Sequence, residues 1–132
     1  MTTIFTKIIE GEIPSHRVYE DDWTYAFLDI NPRQPGHALV VPKTEVDYLF
    51  DLDDEAYQML WGVCRTVSEA IKAVTKCERV FVVVAGFEIP HAHVHLIPAN
   101  HLADFPFPPA IEQTNIELAA MAERIASAAR GK

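Results

Sequence analysis

The sequence predicts a single α+β domain, in which an antiparallel sheet of about five strands is covered by one long helix. Short strand-like segments follow one another along the chain with short turns between them, and one long amphipathic segment interrupts them. The composition fits one globular domain, because the 132 residues are 49% hydrophobic and 23% charged.

The first predicted element is a short helix near the N-terminus. Its apolar positions are Ile4, Ile8 and Ile9, and Gly11 ends it. An extended segment begins at residues 13–14. A strand is then predicted over residues 23–30, where neighbouring side chains alternate between the two faces and leave both largely apolar.

Turn residues separate this strand from the next one. Residues 31–32 are Asn and Pro, and residues 35–36 are Pro and Gly, which mark a turn. Residues 37–41 predict a strand that Pro42 closes. The order of the elements up to this point is therefore a short helix followed by strands.

A long helix is predicted to begin after Asp53, which is a suitable N-cap residue. Asp54 and Glu55 lie in its first turn, where the helix dipole favours negative charge. Its apolar stripe, which should cover the sheet, consists of Ala56, Leu60, Val63, Val67, Ile71 and Val74. The continuous apolar run over residues 80–85 predicts the next strand, and Gly86 ends it.

We divide the chain into a main part, residues 1–104, and a C-terminal part, residues 105–132, that belongs to the same unit. The C-terminal part begins with a stiff proline-rich connector over residues 105–109. A second amphipathic helix follows, and its apolar stripe includes Ile111, Leu118, Met121, Ala122, Ile125 and Ala129. We expect this stripe to pack on its own domain, and a partner surface is the alternative.

Three histidines at alternate positions are the strongest functional signal in the chain. In an extended strand His91, His93 and His95 lie on one face, while Ala92 and its alternate neighbours lie on the other. A single histidine on a strand is usually half-solvated or hydrogen-bonded without a catalytic role. Three in register favour a functional site.

Two kinds of chemistry fit such a cluster. A neutral imidazole can attack phosphorus when its other ring nitrogen donates to a fixed acceptor, and His93 has an imidazole on each side. The neighbouring rings can then donate hydrogen bonds to phosphate oxygens. Histidines spaced in this way also bind zinc, with Glu88, Asp29 or His37 as further ligands. Spacing alone leaves both open.

Charge and cysteine content restrict the partners and the compartment. The formal net charge of −8 disfavours a nucleic acid polymer or an anionic membrane surface. Cys64 and Cys77 belong to no Cys-x-x-Cys motif, so we expect free thiols in a reducing compartment. The N-terminus lacks the pattern of a signal peptide, and no apolar run is long enough to span a bilayer. We therefore expect a cytoplasmic protein.

The histidine segment resembles the signature of the histidine triad (HIT) family, in which three histidines alternate with apolar residues. The matching segment is residues 91–97, HAHVHLI. The resemblance extends to residues 27–32, FLDINP, and to residues 35–43, PGHALVVPK, in the order expected for that family. It covers roughly residues 3 to 100.

The resemblance implies an α+β HIT-like fold, a homodimer in which sheets and long helices meet, and no cofactor. It implies hydrolase or transferase action on nucleotides substituted at the α-phosphate, such as nucleoside phosphoramidates, dinucleoside polyphosphates or nucleotidyl adducts, most simply purine ones. His93 corresponds to the nucleophile that becomes a nucleotidyl-histidine. His95 corresponds to a phosphate ligand, and His91 and His37 to outer members of the imidazole network.

The resemblance also implies a nucleotide pocket. Asp29 corresponds to the acceptor for the ribose hydroxyls, and Ile30 and Phe27 would flank the base. Gly86 would allow the backbone to approach the phosphate. We include the two following residues in the pocket, Phe87 beside the phosphate and Glu88 either near the leaving group or facing solvent.

The sequence departs from the family pattern in three places. Val80 replaces an asparagine that many members carry, and Phe87 replaces a glutamine. Thr3, Thr6 and Glu45 occupy the places where metal-binding members carry two cysteines and a histidine, so we predict no bound metal. The first two departures keep open the alternative of a catalytically weak nucleotide-binding or scaffold protein.

Overall fold

The computed structural model describes residues 2–105 and 107–131. Pro106 of the predicted connector and the terminal residues Met1 and Lys132 lie outside the described residues. The helices are α1 (Ile4–Ile9), α2 (Asp54–Thr75) and α3 (Asn115–Arg130). The strands are β1 (Arg17–Glu20), β2 (Thr24–Leu28), β3 (Ala38–Pro42), β4 (Arg79–Val83) and β5 (Val94–Ala99).

The five strands form one antiparallel sheet in the order β1-β2-β3-β5-β4. The predicted α+β class and the number of strands are confirmed. The first three strands lie side by side in chain order, whereas β5 lies between β3 and β4. The α2 segment carries the chain from β3 to the far edge, and β5 then returns to the middle of the sheet.

Helix α2 covers one face of the sheet and begins where the sequence predicts. The side chain of its N-cap, Asp53, accepts a hydrogen bond of 2.8 Å from the backbone N–H of Ala56. Leu60 is fully buried in a cluster that includes Val40 and Leu96 of the central strands. Burial of a leucine side chain of this kind stabilises the fold by about 1.5 to 3 kcal/mol.

Helix α1 packs on the opposite face of the sheet. Phe5 and Ile8 are buried there in a second cluster with side chains of β2 and β3. Register places Phe27, Leu39 and His95 side by side across three strands of this face. The predicted histidine cluster therefore lies on the α1 side of the sheet, away from α2.

Helix α3 differs from the expectation that its stripe packs on its own domain. None of its described residues is buried, and Ile116 and Ile125 are 83% and 62% exposed. The capping box formed by Thr114 and Glu117 accounts for its start without tertiary contacts. The alternative, a partner surface, is the interpretation that this exposure favours.

The edge strand β4 also exposes apolar surface. Val82 is 51% exposed, although the continuous apolar run predicts a strand that is covered on both faces.

None of the helices in the described part of the chain combines the length and the apolar composition needed to cross a membrane.

Candidate active site

The three histidines lie on one side of the sheet, but only His95 belongs to a strand. β5 begins at Val94, so the prediction that all three are strand residues is wrong. The segment before it bends away from β3, because the N–H of Ala92 donates to the backbone oxygen of Val46 at 2.7 Å. The rings nevertheless adjoin: the centroids of His93 and His95 are 5.4 Å apart.

The ring of His93 is held by a backbone acceptor. Its Nδ1 lies 2.7 Å from the backbone oxygen of His91, and a carbonyl oxygen can only accept a hydrogen bond. In the neutral ring Nδ1 therefore carries the proton, and Nε2 has the free lone pair. The ring is 7% exposed and packs against Phe5 with a centroid distance of 4.9 Å. This is the arrangement that a nucleophilic imidazole requires.

A second chain of hydrogen bonds sets the tautomers of His37 and His95. The backbone N–H of Arg33 donates to Nδ1 of His37 at 3.1 Å, which leaves the proton of His37 on Nε2. That Nε2 lies 3.0 Å from Nδ1 of His95 and donates to it. The remaining proton of His95 is therefore on its Nε2, which is free to donate to a ligand.

Both rings of this second chain favour the neutral form. The pKa of His95 is lowered to about 4, chiefly by burial and also by the neighbouring rings of His93 and His37, while Asp29 opposes them. Burial also lowers the pKa of His37, and the Asp29 carboxylate partly offsets that effect. Near neutral pH the pair is therefore uncharged and offers a hydrogen-bond donor.

Asp29 follows β2 and faces the same pair. One carboxylate oxygen accepts a hydrogen bond of 2.8 Å from the N–H of Asn31, which is the cap expected of an aspartate that precedes a turn. The other oxygen, Oδ2, lies 3.5 Å from Nε2 of His37 and 4.0 Å from Nδ1 of His95. One carboxylate thus stabilises the turn and faces the histidine pair.

Within the described residues, Asp29, His37 and His95 are the one group of three possible metal ligands, with ligand atoms within 4.8 Å of one another. The hydrogen bonds oppose metal binding by this group. The Arg33 N–H occupies the lone pair of Nδ1 in His37, so Nε2 could bind a cation only if the ring lost its last proton. A neutral imidazole is the form that normally binds metals.

Comparison with known proteins agrees with this geometry. The family model for the HIT domain matches residues 10–102. The chain belongs to the HIT family. It is 40% identical over 96 residues to the adenosine 5'-monophosphoramidase of Saccharomyces cerevisiae, a match that covers 72% of this chain and 61% of that protein. The Schizosaccharomyces pombe protein of the same name is 36% identical over 106 residues, covering 74% of each.

Solved HIT structures have the same fold over nearly the whole chain. A member of the HIT family from Bacillus subtilis superimposes with a TM-score of 0.85 and 30% sequence identity, covering 96% of both chains. The predicted family and the predicted fold are both confirmed by these similarities.

The predicted pocket residues of this HIT protein divide into buried and exposed ones. Phe27 is 5% exposed and packs between Phe5 and Tyr25 at centroid distances of 5.8 Å, so most of its ring is buried in the core. Ile30, in contrast, is 78% exposed and free to contact one.

The loop after β4 is open to solvent. Phe87 is 96% exposed, and Glu88 is also exposed. Gly86 has a φ of +75°, and a Cβ built there would contact nothing within 4 Å. Its backbone conformation, and not close packing, therefore favours glycine at this position.

Sequence reasoning missed the residues that hold His91. Its ring is fully buried, with Nε2 at 2.8 Å from the backbone oxygen of Pro42 and Nδ1 at 2.7 Å from the Thr3 hydroxyl. Burial lowers the pKa of His91. The sequence signals only that Thr3 is a suitable N-cap for α1, and the contact with His91 spans 88 positions of the chain.

Proposed function

We propose that this protein hydrolyses nucleotides that carry a substituent on the α-phosphate, through a covalent nucleotide adduct on His93. The observation that carries the proposal is the 2.7 Å hydrogen bond from Nδ1 of His93 to the His91 carbonyl, which leaves Nε2 as an unprotonated nucleophile.

In the first half of the reaction Nε2 of His93 attacks the α-phosphorus. The Nε2–phosphorus bond forms, and the bond from phosphorus to the leaving group breaks. The leaving group departs with the bonding electron pair and takes up one proton from water. His95 donates from Nε2 to a phosphate oxygen and stabilises the charge that accumulates there.

In the second half water attacks the phosphorus of the adduct. The Nε2–phosphorus bond breaks, its electron pair returns to Nε2, and the attacking water releases one proton to solvent. The proton taken up in the first half is thereby returned. The products are the nucleoside monophosphate and the free leaving group, so the net reaction consumes one water.

The nucleoside would bind beside the second chain of hydrogen bonds. Asp29 keeps Oδ2 directed at the histidine pair and is a suitable acceptor for ribose hydroxyls. Ile30, exposed at the end of β2, would contact the base. The open backbone at Gly86 would accept the phosphate, with Phe87 and Glu88 near the leaving group.

The names of the yeast relatives indicate which substrate to test first. Both are adenosine 5'-monophosphoramidases, so we infer a purine nucleoside phosphoramidate, with dinucleoside polyphosphates and nucleotidyl adducts as further candidates. Nucleotidyl transfer would follow the same route with an acceptor other than water.

Turnover of adenosine 5'-phosphoramidate tests the proposal. Release of ammonia and adenosine monophosphate, with an adenylyl adduct on His93 in acid-free quenched samples, is the expected result. Binding of adenosine monophosphate without turnover would support the alternative, a nucleotide-binding or scaffold protein. That alternative is favoured by one observation, the apolar and 96% exposed Phe87 beside the proposed phosphate site.

We also propose that the protein is a cytoplasmic homodimer. The apolar surface left on β4 and α2, with Val82 and Met59 51% and 36% exposed, supports an interface between two copies. Cys64 and Cys77 are free and buried, and burial raises the pKa of Cys64 to about 12, as expected of structural thiols in a reducing compartment.

A further inference from the structure

The N-terminus of α1 is tied to the loop after β3 by one carboxylate. Oε1 of Glu45 accepts a 2.8 Å hydrogen bond from the backbone N–H of Thr3 and a 2.6 Å bond from the hydroxyl of Thr6. These two bonds lower the pKa of Glu45, so the carboxylate is charged at neutral pH. Hydrogen bonds to a charged acceptor are stronger than neutral ones.

The same helix N-terminus holds His91. The Pro42 carbonyl accepts from Nε2 of His91, so Nδ1 has the lone pair and must accept from the Thr3 hydroxyl. The Thr3 oxygen in turn accepts the N–H of Thr6 as the cap of α1. The single hydroxyl of Thr3 therefore donates to His91 and accepts from Thr6 at the same time.

These contacts lead directly to the proposed nucleophile. Both ends of the fully buried His91 ring are fixed, and the carbonyl of the same residue orients His93 at 2.7 Å. Phe5, two residues after Thr3, packs against both imidazoles, with centroid distances of 5.7 Å to His91 and 4.9 Å to His93. A shift of α1 would therefore move both rings.

We infer that Glu45, Thr3 and Thr6 form a hydrogen-bonded anchor that holds the Nδ1 side of the His91 ring and keeps His93 in its attacking orientation. The three are positioning residues, since their hydrogen bonds reach His93 only through His91 and α1. This inference rests on the proposed function for its kinetic consequence, but the tautomers that it assigns belong to the resting protein. The anchor gives one common role to the three residues that stand in place of the metal ligands of other family members.

Two pairs of substitutions test the anchor. Thr3→Val removes the hydroxyl at nearly constant volume, and Thr3→Ser restores it. Glu45→Leu removes the acceptor, and Glu45→Gln keeps an oxygen that accepts both bonds. Thr44→Val is the matched control for Thr3→Val, and Glu69→Leu is the matched control for Glu45→Leu. Thr44 is exposed in the loop after β3, and Glu69 is exposed on α2.

The kinetic readout is the hydrolysis of adenosine 5'-phosphoramidate. We expect Thr3→Val and Glu45→Leu to lower kcat about tenfold or more, because misplacement of a reacting group by a fraction of an ångström slows the chemical step. KM should change by less than about twofold, since the substrate contacts remain. Thr3→Ser and Glu45→Gln should retain most of the activity.

The structural readout is nitrogen-15 NMR of the histidine rings, which distinguishes the two tautomers without substrate. The wild type should show His91 protonated on Nε2 and His93 on Nδ1. Thr3→Val should shift the Nδ1 resonance of His91. Lower melting temperatures with unchanged kcat and unchanged ring resonances would mean a merely structural helix cap and would overturn the inference.

The two proposals fail separately. A wild-type protein that turns over no nucleotide but shows the assigned tautomers, with the Thr3→Val shift, would overturn the proposed function and support the anchor. Normal turnover together with wild-type kcat in Thr3→Val and Glu45→Leu would support the function and overturn the anchor.

Discussion

Nε2 of His37 lies 3.0 Å from Nδ1 of His95. The direction of the hydrogen bond between them is fixed by the backbone N–H of Arg33, which donates to the other nitrogen of His37. The Arg33 amide leaves His37 one proton to donate, and His95 must accept it. A turn at the end of β2 thus determines which nitrogen of His95 can donate to a ligand.

This relationship predicts an unusual titration of His95. The pKa of His95 in the folded protein is lowered to about 4 from 6.5, so between these values the unfolded chain binds a proton that the folded protein does not. The free energy of unfolding should therefore fall as the pH is lowered from about 6.5 through about 4. Proton NMR should place the His95 midpoint well below 6.5, the value from which burial lowers it.

The control for this titration is His95→Gln, which should reduce the dependence of unfolding free energy on pH in that range. The lowered pKa values of His37 and His91 act in the same direction, so part of the dependence should remain. A His95 midpoint close to 6.5 would contradict the buried, neutral pair.

His93→Ala should lower turnover by about a thousandfold or more. In no other imidazole of the site is one nitrogen held by a backbone carbonyl while the other keeps a free lone pair. The fold should survive with a loss of about 1 to 2 kcal/mol, since the removed ring makes one hydrogen bond to a neighbouring residue. Mass spectrometry during turnover should find the nucleotide adduct on His93. His16→Ala, at an exposed site, is the control, and substantial activity in His93→Ala would refute the assignment.

Local patterns were sufficient to predict most of the fold. The N-cap at Asp53 and the strands on either side of the turn at residues 31–36 depend on neighbouring residues, and the structure has all of them. Alternation also put the three histidines on the correct side of the sheet. It failed for the strand bounds at His91 and His93, because Val46, far away in the sequence, takes the hydrogen bond of Ala92.

The remaining differences have the same physical origin. An apolar stripe does not specify its partner, so α3 could not be predicted to remain uncovered within one chain. The packing of Phe27 against Phe5 and Tyr25 depends on contacts that form only in the folded state, so the sequence motif does not show its burial. The anchor at Glu45 joins residues 39 and 42 positions apart, which no sequence window can contain.

We expect the protein to be independent of metal ions. Thr3, Thr6 and Glu45 hydrogen-bond to one another and to His91, and the Arg33 amide blocks the ligand form of His37. Chelator treatment should change neither the melting temperature nor the activity. Stoichiometric zinc in protein purified without added metal, lost together with activity on chelation, would contradict this prediction.

A homodimer should have twice the 14.8 kDa mass of one chain in light scattering at micromolar concentration. Val82→Asp should weaken it, because an aspartate on the exposed apolar edge strand β4 would be desolvated in the interface. Val18→Asp is the matched control, since Val18 lies on the opposite edge strand and is 47% exposed. A monomer at micromolar concentration, or equal effects of the two substitutions, would argue against an interface at β4.

The resemblance to the HIT family implies that Phe87 replaces an amide beside the phosphate, and its ring is 96% exposed. Because the ring is almost fully exposed, its replacement should leave the free energy of unfolding nearly unchanged. Phe87→Gln would add a side-chain donor to the transition state, which is worth about 1 to 3 kcal/mol. We therefore expect a rise in kcat/KM of about fivefold to about 150-fold, equal for all leaving groups.

The spread of that gain among substrates is the decisive measurement. Kinetics with a series of adenosine phosphoramidates, from ammonia to aromatic amines as leaving groups, should show a uniform gain if the native ring only withholds a donor. A changed ranking, with aromatic leaving groups losing most, would mean that Phe87 contacts the leaving group and redirects specificity. No change on any substrate would place Phe87 outside the site, and Phe107→Gln, another exposed phenylalanine, is the control for a general surface effect.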